Sequence, residues 1–192
     1  MDGFAHIRSA LAEAAHAAWT HLRVDRPGER FYYYGLWTSP LAHRPAPTAC
    51  SEEGLRSAVT ASAADGIAAD GDDLRWVVNA SPYDLAGDAR FARIEPLFEE
   101  LGDPYERSRE VNVALLAAME GALADLDADG FFGRGAARDA VVLNVTMPAH
   151  EHPLEALESA RRLNPPAALV RYAADLAGAG ARRTARVPRP TT

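Results

Sequence analysis

The stretch DLDADGFFGRGA, residues 125–136, has three aspartates at alternate positions followed by a glycine, which is how a helix-loop-helix calcium site begins. Such a loop needs oxygen ligands at its first, third and fifth positions, glycine at the sixth and a bidentate glutamate at the twelfth. Asp125, Asp127, Asp129 and Gly130 meet the first four demands, and Phe132 supplies the apolar eighth residue, but the twelfth is Ala136. Without that carboxylate the ion loses two ligand oxygens. If the preceding helix runs on through Leu126, side chains two apart also diverge by about 200°. The favoured reading is an acidic helix end, with Gly130 as a left-handed cap and Phe131 and Phe132 folded back on the core. No metal is expected there.

Other reactive residue types have plainer explanations. Gly130, Gly133 and Gly135 lead from a helix to a strand, the reverse of a phosphate cradle, whose free N–H groups open a helix. Cys50 stands just before a helix start, where a thiolate is favoured, but Glu52 and Glu53 oppose it, and only the fold could bring His43 near. His150, Glu151 and His152 lie among prolines without an evident third ligand. His16 and His21 are not at the spacing of a zincin helix. No nucleophile elbow, phosphate loop or dinucleotide fingerprint occurs, so no cofactor is expected. Arg75, Trp76 and Tyr83 differ in kind: amphipathic rings beside an arginine are what recognition surfaces use, as well as what α+β cores use, and these three are the expected ligand- or partner-binding residues.

These residues need elements to hold them. Phe4, Ile7, Leu11, Ala15, Trp19 and Leu22 recur at helical spacing, so residues 3–23 read as an amphipathic helix. RFYYYGLWTS, 30–39, is apolar on both faces and reads as a central strand, with Phe31, Tyr33, Gly35 and Trp37 alternating against Tyr32, Tyr34, Leu36 and Thr38. TAC is a short strand, Ser51 caps a helix to about Ala64, and LRWVVN, 74–79, reads as a third strand. A helix over 88–101 is divided by Pro96. A longer one spans about Pro104 to Asp127, and 139–147 is a strand. Two helices follow, over 154–163 and from Asn164 to a stop at Gly178. The alternation is irregular, so the expectation is an α+β domain over 1–177, with a mostly antiparallel sheet of about four strands, and a flexible basic tail over 178–192.

A chain of 192 residues, 48% hydrophobic, can bury a sizeable core unaided. One cysteine excludes an internal disulfide, and the N-terminal residues suit neither a signal peptide nor a membrane span, so a cytoplasmic location is expected. Net charge is −7; setting aside Arg182, Arg183, Arg186 and Arg189 leaves 16 basic residues against 27 acids, or −11 on residues 1–177. That body repels nucleic acid and suits a basic protein partner. Lysine is absent and alanine abundant, as in a GC-rich genome.

The ordered set GERFYYYGLWT (28–38), SEEGL (51–55), LRW (74–76), DGFFG (129–133) and RLNPP (162–166) resembles the bacterial domain-of-unknown-function family 4303 over about residues 4–177. The resemblance carries over no catalytic residues. The expectation is a non-enzymatic cytoplasmic binding or adaptor protein, of the toxin-neutralising kind, whose acidic surface meets a basic partner. Its rivals are a small hydrolase-like enzyme with a site near residues 75–84 and a calcium-stabilised structural protein.

Overall fold

The aromatic run after the first turn becomes the middle of the sheet. In the computed structural model, which describes residues 4–67, 69–147 and 153–186 (without the side chains of 153, 154 and 179–186), β1 (Phe31–Trp37) lies between β2 (Ala46–Ser51) and β3 (Val142–Thr146). β1 pairs antiparallel with β2 and parallel with β3. The sheet is therefore mixed and three-stranded among the described residues, correcting the expected four mostly antiparallel strands. The α+β class stands.

The missing strand is LRWVVN. Asp70 and Asp73 form a reciprocal capping box that starts a helical turn, α3 (Gly71–Leu74), and Val78–Ala80 is a 3-10 turn. Two exchanged caps satisfy backbone donors locally, so the valines never pair with a strand.

α1 (Ala5–Asp25) buries Ile7, Leu11, Ala15, Trp19 and Leu22, the expected stripe. Ser51 accepts the Gly54 N–H and opens α2 (Glu52–Ala64), also as expected. Pro96 sits in the first turn of α4 (Glu95–Glu99), after a 3-10 segment over Asp88–Ile94. α5 (Arg109–Ala128) begins later than Pro104 because Ser108 supplies the cap, accepting the Val111 N–H. A short α6 (Ala136–Asp139) precedes β3, and α7 (Pro153–Leu163) and α8 (Pro166–Arg186) close the described chain. α8 passes the stop expected at Gly178.

The strict alternation expected along β1 fails at its start. Phe31 is opposite Ser51 and Tyr33 opposite Cys50, so Tyr32 is an extra residue in the register. Such a bulge shifts the side chains beyond it by one position. Phe31 and Tyr34 consequently stack on one face at 5.5 Å, in contact with the larger core of Trp19, Leu36, Phe91, Leu115, Leu123 and Leu143. Tyr32 and Tyr33 both join a second cluster with Cys50, Val78, Val142, Ala160 and Tyr172. Among the described residues no helix is long and apolar enough to cross a membrane.

Candidate functional site

Arg75 and Trp76 are brought together at the second cluster, Arg75 buried and Trp76 partly buried against it. Arg75 is 4% exposed; its guanidinium meets Glu52 at 2.5 and 2.9 Å and lies 4.3 Å from the centre of the Tyr32 ring. The Tyr32 hydroxyl donates to the Arg75 carbonyl at 2.7 Å. Trp76 stands edge-on to Tyr172 at 4.9 Å and donates its indole N–H to Asp175 at 2.9 Å. Tyr83 belongs to the larger core instead, where its hydroxyl donates to Glu29, the same carboxylate that accepts the Ser51 hydroxyl at 2.5 Å. Burial, and then Glu29, push the Tyr83 phenol up to about 12.

The loop over residues 75–84 contributes Ala80 and Ser81 to a cavity under Tyr32, Cys50 and Leu74 that measures about 10 Å³, no more than one water occupies. Burial pushes the Cys50 thiol up to about 12, away from the thiolate a nucleophile requires. His43 does not meet Cys50: its Nδ1 lies 2.5 Å from the Ser39 hydroxyl and its ring faces Tyr105. Ser39 also accepts the Leu41 N–H, so the contact closes a turn. His16 packs on Phe131 and His21 pairs with Asp25, so the two histidines have separate partners. Residues 150–152 lie outside the described residues.

The aspartates of the calcium-like stretch diverge onto different cations. Asp125 takes Arg8 through two bonds, at 2.7 and 2.5 Å, and Asp127 takes Arg138 at 2.5 Å. Gly130 has φ of 83° and caps the helix, and Phe132 packs on Trp19 and Tyr34. Among the described residues no group of three His, Cys, Asp or Glu side chains could hold a metal.

A second, larger concavity was not foreseen from the sequence. A groove of about 550 Å³ runs between the first half of α5 and α7, floored by Val113, Leu116, Ala117, Val145 and Met147. Val113 is 56% exposed. Glu155 and Glu158 stand on the α7 side, Arg109 on the α5 side, and the Glu120–Arg162 pair, at 2.7 and 2.8 Å, joins the two helices. Ser159 fixes the floor by accepting the Val145 N–H at 3.2 Å. Helical spacing marks Val113, Leu116 and Ala117 as neighbours, but only the placement of α7 turns them into a groove. Its chemistry is an apolar trough with a charged rim.

The sequence model of a family described as Domain of unknown function (DUF4303) matches residues 11–165. No curated protein and no solved structure matches.

Proposed function

The chain belongs to that domain-of-unknown-function family, and on this footing we propose that it is a non-enzymatic protein-binding module of the cytoplasm, an adaptor of the kind that neutralises a toxin or another basic partner. The α5–α7 groove receives a partner segment that presents apolar side chains flanked by Lys or Arg. The observation that carries the reading is the apolar floor beside Glu155 and Glu158, in a chain of net charge −7. Apolar burial supplies the affinity of such a contact, and the charged rim sets its approach rate and salt dependence. The residues that carry the family resemblance support it from another side. Glu29 accepts the Ser51 hydroxyl, Glu52 pairs with Arg75, and Asn164 bonds to Leu143, so these side chains are engaged in holding the fold together.

The test is affinity capture from lysate of the protein's own cells, run with the wild type, Val113→Asp and Glu158→Arg, both substitutions lying on the groove. A partner retained at low salt, released as salt rises, and weakened about tenfold by either substitution supports the proposal. A partner held equally by all three proteins places binding elsewhere and overturns it.

A further inference from the structure

We infer that the concavity at the end of α1 binds a small molecule that carries an oxyanion on a flat ring. The cavity measures about 350 Å³, within the range of small-molecule sites, and shares no lining residue with the α5–α7 groove. The inference is therefore independent of the protein-binding reading.

Its cationic side comes from Arg23, in the last turn of α1, and Arg26, the cap residue. Arg23 is rigidly held. Its Nε donates to the Tyr34 hydroxyl and its Nη1 to the Phe131 carbonyl, both at 2.8 Å, while the guanidinium lies 4.2 Å from the centre of the Phe131 ring. Neither arginine has a carboxylate at ion-pair distance among the described residues, although His21 and Arg30 on either side of them do. Arg75 and Arg138, the buried arginines, sit directly on Glu52 and Asp127. Two guanidiniums without a counter-ion beside one cavity give it a positive potential that attracts an anion, in a chain whose net charge is −7. The C-terminal dipole of α1 favours cations in its last turn, which accounts for the charge but not for the hollow in front of it.

The one acid in the lining is Glu29, whose oxygens already accept the Ser51 and Tyr83 hydroxyls. One negative charge thus faces two positive ones. Phe31, partly exposed, presents its ring to the cavity; Tyr34, its ring centre 5.5 Å away, and Phe132, 5.3 Å from Tyr34, are buried behind it and hold that ring in place. A guanidinium fork takes carboxylate or phosphate oxygens in pairs, and an aromatic face takes a ring by offset or edge-on contact. Together they select a flat molecule with an anionic end.

The experiment is a ligand-observed NMR titration of the full chain with benzoate, phenyl phosphate and, as the uncharged control, benzyl alcohol. Either anion should bind at least about tenfold more tightly than benzyl alcohol, and which anion leads distinguishes a carboxylate from a phosphate ligand. Arg26→Ala, at an exposed position, should remove most of that preference, and adding Arg23→Gln should abolish it. If Arg23→Gln does not fold, Arg26→Ala alone decides. Equal binding of all three probes, no binding of any, or an anion preference untouched by Arg26→Ala overturns the inference.

Discussion

Asn164 stands on the outer edge of β3 and treats Leu143 as a neighbouring strand would: its side-chain oxygen accepts the Leu143 N–H at 2.8 Å, and its amide nitrogen donates to the Leu143 carbonyl at 2.7 Å. The same amide also donates to the Ala160 carbonyl and accepts from Arg138. One side chain, from the RLNPP motif, thereby seals a sheet edge that would otherwise offer unpaired backbone groups.

Asn164→Leu should therefore cost about 3 kcal/mol, since it strips partners from both Leu143 backbone groups and from Ala160 and Arg138, and each buried polar group left unpaired costs roughly 1–3 kcal/mol. Urea unfolding of the variant measures it. A loss below about 1 kcal/mol would mean that water takes the place of the amide.

The Glu52–Arg75 pair gives a second expectation. Arg75 is buried and Glu52 about a third exposed, so Glu52→Ala strands a cation beneath Tyr32 and should destabilise by about 2–3 kcal/mol, at the low end for a buried pair because solvent reaches the carboxylate. Replacing Arg75 by Met as well should recover at least half of that. A double variant no more stable than the single one would show that packing of the arginine stem, not its stranded charge, dominates.

Two glycines with positive φ separate backbone strain from packing. Gly66 has φ of 75° and open space around it, whereas a Cβ on Gly87, φ 87°, would lie 2.7 Å from the Ala18 Cβ of α1. Alanine at either position meets the left-handed backbone penalty of about 1 kcal/mol. Only Gly87→Ala must also push α1 away, which should add about 2 kcal/mol or more. Thermal melts of the two variants side by side test the difference; equal losses would refute the contact.

Alkaline pH should unfold the protein through the second cluster. Burial raises the Cys50 thiol from 9.0 to about 12 and the Tyr172 phenol from 10.0 to about 12, and raises Tyr32 and Tyr33 as well. Folded values above unfolded ones mean that this stability is complete below pH 9.0 and declines as pH climbs through the unfolded values, the share from Cys50 and Tyr172 being gone above about 12. Tyrosinate absorbance should rise together with loss of helical circular dichroism, and Cys50 should resist thiol reagents until that transition. Ready labelling of Cys50 in the folded protein at mildly alkaline pH would contradict its burial.

How much of this was legible beforehand depended on the range of the interaction involved. The α1 stripe, the Ser51 cap, the division at Pro96 and the Gly130 turn are local, set by spacing and by side chains within four residues, and all were readable. The strand expected at LRWVVN failed because a capping box just upstream competed for the same backbone groups. The alternation of β1 failed because a bulge depends on the partner strand's register. Asp125 and Asp127 have identical chemistry, and nothing near them in the chain tells that Arg8, far upstream, takes the first and Arg138 the second.

The sequence by itself determined the mixed class, the helices with their caps and the acidic balance, because hydrophobic period, capping chemistry and charge are properties of short windows and sums. Tertiary structure alone decided which way the amphipathic residues face. Arg75 and Tyr83 can line a surface as readily as a core, and they are buried because Glu52 and Glu29, both distant in the chain, supply their polar partners, while Trp76 stays partly exposed with its N–H on Asp175. The groove and the arginine-lined cavity arise in the same way, from helices and turns meeting across long stretches of chain that no local pattern encodes.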